Sequence, residues 1–160
     1  MSTSLLTVDI AGLVAALGHD IEANEAAARP AAQAGAQVFY DEVVANVAAL
    51  KRWTGNLASS IYQAYSEDNS AQGLATYHVS WNARKAPHGH LLEWGFYQRY
   101  EISFDPTTKR FTTHKDRPLP TPRHVPGRAF VRGALARQEQ AQQAMERVYL
   151  ERLAQAGVIA

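Results

Sequence analysis

The sequence predicts an α/β fold of the α+β kind: a twisted antiparallel sheet of about four strands, flanked by N-terminal helices and a long C-terminal helix, with a protruding hairpin and proline-rich arm. Three observations carry this expectation. Apolar residues recur at three- and four-residue spacing over residues 6–50 and again after Arg128. Between those stretches Tyr77, Val79 and Trp81, and later Tyr100, Ile102 and Phe104, alternate with polar neighbours, as half-buried strands do. Finally, Pro118, Pro120, Pro122 and Pro126 each remove a backbone donor and restrict the preceding residue, which forces extended chain.

Each element follows in order. Leu6, Ile10, Leu13, Val14, Leu17 and Ile21 share one helical face, with Thr7 or Asp9 placed as N-cap. Pro30 suits the first turn of a second helix, whose face is Phe39, Val43, Val47 and Leu50, so residues 1–52 form a helical region. The stretch TGNLASSI (54–61) breaks that pattern. Thr54 can cap, Gly55 permits a tight turn, and Leu57 and Ile61 lie one turn apart before a strand begins. The polar SEDNSAQG (66–73) connects two strands, and DPTTK (105–109) turns a second hairpin. Residues 54–114 thus hold the sheet, with a short helix over 86–95, and 115–127 form the proline-rich arm. From 128 to 157 a helix is expected, with Phe130, Leu135, Ala141, Met145, Val148 and Leu153 on one side and Gly157 at its end. At 160 residues the chain suits one domain that buries roughly two thirds of its unfolded surface.

Composition narrows the chemistry. The absence of cysteine excludes disulfides and thiolate metal sites. The N-terminal stretch lacks a basic region, and Asp9, Gly12 and Gly18 interrupt its apolar residues, which predicts neither a signal peptide nor a membrane span. The net charge of +1 conceals an asymmetry: three Lys/Arg against eight Asp/Glu in residues 1–80, then thirteen against seven in 81–160. A subunit so polarised can meet its own copies acid to base, or present its basic half to nucleic acid or an acidic partner.

The densest stretch is APHGHLLEWGF (86–96). One reading places His88 and His90, with Glu93, around a divalent ion, but no third ligand follows at a recognised interval and no nucleophile or oxyanion donor accompanies the pair. The other fills a core with Leu91, Leu92 and Trp94, leaves Glu93 on the outward or inter-subunit side, and ends the helix at Gly95. The second explains every residue, so no catalytic, metal or cofactor residue is assigned. Phosphate loops, nucleophile elbows and dinucleotide fingerprints are also missing.

Three stretches in order, TGNLASSI, APHGHLLEWG and PGRAFVRGAL (126–135), resemble the tailed-phage neck or tail-completion family named for gene product ten of phage HK97. The family's Thr-Gly-x-Leu turn is matched by Thr54, Gly55, Leu57 and Ile61, and its apolar-apolar-Glu-aromatic-Gly segment by Leu91, Leu92, Glu93, Trp94 and Gly95. Arg128, Phe130, Arg132 and Ala134 keep the pattern of its helix start, whereas Ala129 and Gly133 stand where members often have proline.

The resemblance implies a virion structural protein of the head-tail connection, a neck, tail-completion or tail-terminator component. It implies a hexameric or dodecameric ring, assembled in the host cytoplasm, with head-completion or connector, tail-terminator and tail-tube proteins as neighbours. DNA would pass through without sequence-specific binding; no enzyme activity, cofactor or membrane is implied. Arg110, Lys115, Arg117, Arg123, Arg128, Arg132 and Glu93 are the expected interface residues. The alternative is a nucleic-acid-binding module that uses the basic half, with Tyr97, Tyr100 and Phe111 as stacking surfaces.

Overall fold

A computed structural model of the chain describes residues 11–50, 55–108 and 110–159, with side chains from residue 15 onward. Thr54, Trp53, the proposed caps Thr7 and Asp9, and Leu6 and Ile10 lie outside the described residues, as do the side chains of Leu13 and Val14. The mixed helix-and-strand class is the one predicted. The arrangement of its parts differs in several places.

Helix α1 is a single rod, Ala11–Ala49, 39 residues and about 58 Å long. Pro30 sits inside it instead of starting a second helix. An internal proline costs about 3 kcal/mol. Here the flanking Ala26, Ala27, Ala28, Ala31 and Ala32 are strong helix formers, and Ala27 and Ala31 are buried, so packing and propensity carry the helix across the missing donor.

The buried face of α1 is also not the expected one. Leu17 and Ile21 are 53% and 58% exposed, whereas Ala23, Ala27 and Ala31, one turn apart, are buried. Small side chains let helix α3, Gln138–Gln155, approach closely. At Gly35 an added Cβ would stand 2.5 Å from Met145 Cγ. The two helices run antiparallel: His19 Nε2 donates to the Ala156 carbonyl at 2.9 Å, Tyr149 Oη donates to Asn24 Oδ1, and Arg137 Nε donates to Glu42 Oε2 at 2.7 Å.

The four strands form two separate pairs, not one sheet. Strands β1 (Ile61–Tyr65) and β2 (Tyr77–Trp81) pair antiparallel from Ile61↔Trp81 to Tyr65↔Tyr77. Before β1, Gly55 takes φ +77°, and a 3-10 turn over Ala58–Ser60 buries Leu57. This pair packs on the C-terminal half of α1, in a core of Val43, Val47, Leu57, Ile61, Ala86, Phe130 and Ala134. Phe130 stacks edge-on against Trp81 at 5.4 Å between ring centroids.

Short helix α2 (Gly89–Trp94) leads directly into a long ribbon, β3 (Gly95–Asp105) paired with β4 (Arg110–Pro126). The proline-rich arm is therefore a strand. Strand β4 is the longer, and its surplus is taken up where the register slips between Gln98 and Glu101, opposite 115–122. That interval contains Pro118, Pro120 and Pro122, which cannot donate to a ladder and so fall in its irregular part. Apart from its own pairing the ribbon packs mainly on α2.

The C-terminal helix also starts later than the sequence suggests. Residues 128–131 are not helical: Arg128 and Ala129 donate to the carbonyls of Leu92 and Glu93, and Ala129 has φ +47°. A 3-10 turn over Arg132–Arg137 follows, and only then α3. Ala141 and Leu153 face α1 as expected, but Leu135 and Met145 are exposed. Among the described residues no helix is long and apolar enough to cross a membrane.

Candidate functional site: an arginine latch and a basic ribbon

The motif around residues 86–95 reverses the orientation read from the sequence. Trp94, expected in the core, is 64% exposed; Glu93, expected outside, is 2% exposed. The reason lies 38 and 39 residues downstream, where 128–132 folds back over α2 and brings three donors to the carboxylate. Oε2 accepts from the Val131 amide at 2.9 Å, and Oε1 accepts from both the amide and Nε of Arg132 at 3.0 Å. Arg132 Nη2 also donates to the Glu93 carbonyl at 2.8 Å, and its guanidinium lies 3.8 Å from the centre of the Trp94 ring. Glu93 thus closes the N-terminal end of the 3-10 turn from another element, doing the work of a capping side chain. A buried carboxylate is tolerated here because every oxygen is engaged by charged or amide donors.

Two glycines make this fold-back possible. Gly95, at φ +84°, would place a Cβ 2.5 Å from the Val125 carbonyl oxygen, and Gly127 would place one 2.5 Å from that of Glu93. The two ends of the ribbon therefore cross backbone to backbone, beneath the latch. Asn46 Nδ2 on α1 adds a bond to the Phe130 carbonyl at 3.1 Å.

This geometry weighs against the metal reading. Both Glu93 oxygens are occupied, and His90 Nδ1 is 2.7 Å from the Pro87 carbonyl. No group of three or more His, Cys, Asp or Glu able to hold an ion occurs among the described residues.

The other predicted interface residues do not converge. Arg110 stands at the ribbon tip opposite Asp105, Arg123 lies opposite Gln98, Lys115 and Arg117 fall in the irregular interval, and Arg128 sits at the base. Tip and base are roughly 33 Å apart at the ordinary rise per strand residue. Arg117 pairs with Glu101 at 3.5 Å, while Arg110, Lys115, Arg123 and Arg128 have no ion pair among the described residues. At the tip the Thr108 hydroxyl and then the Thr107 amide donate to Asp105, holding its carboxyl below the ordinary aspartate range. Leu57, Ile61 and Phe130 occupy the core, and Leu92 packs at its margin.

Sequence reasoning missed Gly127, Asn46 and the alanine face of α1. Only the last left a signal, the four-residue spacing of Ala23, Ala27 and Ala31.

Comparison with known proteins adds one match. Residues 15–95, just over half of the chain, fit a family model described as "Bacteriophage HK97-gp10, putative tail-component". The match spans most of α1, the first strand pair and α2, and stops at Gly95, where the ribbon begins. No curated protein and no solved structure matches.

Proposed function

The chain belongs to the bacteriophage HK97-gp10 tail-component family, and from this premise we propose that it is a structural, non-catalytic protein of the head-tail connection, built into a ring around the DNA channel. The observation that supports this most is the ribbon. It carries Arg110, Lys115 and Arg123 without ion pairs among the described residues and leans on the body mainly at α2, while α1 holds Asp20, Glu22, Glu25, Asp41 and Glu42 against Arg29 alone. Unlike surfaces at opposite parts of one subunit give a head-to-tail contact, which closes when the rotation per subunit divides a full turn. Six-fold closure suits such a joint, with twelve-fold as the alternative. Connector and tail-tube proteins are the neighbours above and below. Assembly takes place in the host cytoplasm.

Native mass spectrometry of the purified protein, with electron microscopy of particles, tests the reading. A closed oligomer and axial density at the joint are expected. A monomer at all concentrations, with no axial density in particles, overturns it.

One observation favours a second reading, nucleic-acid binding by the ribbon: Tyr97 and Phe111 are 66% and 55% exposed beside the unpaired cations. That reading requires a gel shift by the isolated subunit at low salt which weakens steeply as salt rises.

A further inference from the structure

Two apolar surfaces of the subunit are left bare, and they are complementary. The first is on α1, where Leu17 and Ile21 stand one turn apart, beside the end of α3 at His19 and Ala156. Asp20, Glu22 and Glu25 surround them, none with an ion pair among the described residues. The nearest cation along the helix, Arg29, is stacked on Tyr65 at 4.2 Å.

The second is one face of the ribbon. Pairing places Phe96 with Val125, Tyr100 with Pro118 and Ile102 with Thr113 on the same side, and Tyr100 and Ile102 are 37% and 40% exposed. Phe96, Gln98, Tyr100, Ile102 and Thr113 border a shallow concavity of about 240 Å³, which Tyr97 and Arg99 close from the edge. The reverse side is polar toward the tip, with Glu101 opposite His114 and Ser103 bonded to His114 at 2.9 Å, and carries the exposed Tyr97 only near the base. A two-stranded ribbon is marginal in water by itself and gains stability when its apolar face is covered.

These surfaces do not pack on one another within one chain. The ribbon is rooted beside Phe130, which packs on Val43 in the core, and Leu17 lies about 39 Å along α1 from Val43. We infer that the apolar face of the ribbon in one copy lies along the Leu17 and Ile21 surface of α1 in a second copy, with Arg123, which pairs opposite Gln98 on that face, meeting Asp20, Glu22 and Glu25. The occupant is a second copy because each surface carries what the other lacks: an apolar centre with the unpaired Arg123 on one, an apolar centre with unpaired carboxylates on the other. The contact is head to tail, so every copy both gives a ribbon and receives one. This inference rests on the ring reading above and gives it a specific seam.

The absence of cysteine makes the test direct. Full-length protein carrying Ile21→Cys and Ile102→Cys is purified and mildly oxidised, beside a control with Asn69→Cys and Ile102→Cys. A ladder of covalent dimers and larger species from the first pair only is the expected result. An oligomer by native mass that yields no ladder, or the same ladder from the control, overturns the seam and leaves the ring standing. A chain that is monomeric and absent from the particle axis overturns both. In particles, a cross-link from Ile102→Cys to another virion protein assigns the face to that protein and also refutes the second copy. Charge exchange gives an independent readout: Glu22→Arg and Arg123→Glu each lower the oligomer fraction several-fold, and the double variant restores it. Failure of the double variant to recover, with unchanged circular dichroism, counts against the seam.

Discussion

Glu93→Gln is the substitution that isolates the latch, since it preserves shape and removes only the charge and one acceptor. In the native chain two carboxylate oxygens receive three donors within 3.0 Å. The carboxamide keeps one acceptor and turns an NH2 toward an amide or toward Arg132, which leaves one buried donor unpaired at about 1–3 kcal/mol and weakens the remaining charge-assisted bonds by about 1 kcal/mol. The guanidinium contribution is discounted for solvent screening, because the Arg132 side chain is 45% exposed. The total is about 3 kcal/mol, near the lower end of what breaking a buried pair costs. For a chain of this size that is a fall of about 6–12 °C in Tm. Calorimetry and urea unfolding of wild type, Glu93→Gln, Arg132→Gln and the double variant give both the loss and the coupling. A loss below about 1 kcal/mol, or additive single losses, would refute the latch as a coupled unit.

Further outcomes follow from other contacts. Gly127→Ala meets backbone of Glu93, Trp94 and Gly95, so it lowers stability by more than about 2 kcal/mol in thermal unfolding, whereas Gly35→Ala presses chiefly on the exposed Met145 side chain, with the Ala141 carbonyl at 3.4 Å, and costs less. Ala27→Leu overfills the fully buried contact between α1 and α3 and costs about 1–3 kcal/mol by the same assay. Asp105 has a lowered pKa, so the order it gives the ribbon tip is present above the unfolded value and lost as pH falls through the folded one; the Thr107 amide shift followed by NMR titrates below the ordinary aspartate range.

What the sequence could reveal depended on the kind of contact involved. Val43, Val47, Leu57, Ile61 and Phe130 are bulky, correctly spaced and buried, because the elements that carry them meet one another. Leu17 and Ile21 follow the same rule of spacing and end in solvent. Hydropathy ranks Leu above Ala, but close helix packing selects for small size, and the alanine face won. Pro30 misled for a related reason, since local propensity against it was outweighed by burial on either side. Glu93 and Trp94 are neighbours on a six-residue helix, and nothing within that helix decides which one faces inward. The choice is made by Val131 and Arg132, whose backbone donors arrive from a distant segment. Two residues of the family motif have exchanged the places expected of them: the carboxylate is the buried member and the tryptophan the exposed one.

That exchange ties the ribbon to the body at one place. Both ends of the ribbon, α2 and the turn before α3 meet at Gly95, Gly127, Glu93 and Arg132, through backbone approach and fully engaged polar groups. The direction in which the ribbon leaves the body is set at that crossing and owes little to the side chains beyond it. Residues 97–125 lie outside the core, which draws on none of them. If the proposed seam holds, stability and assembly separate along the chain. Substitutions at the crossing lower Tm and disturb assembly together, whereas those at Tyr100, Ile102 or Arg123 leave unfolding almost unchanged and act on assembly alone, a division that parallel thermal and native-mass measurements on the same variants resolve.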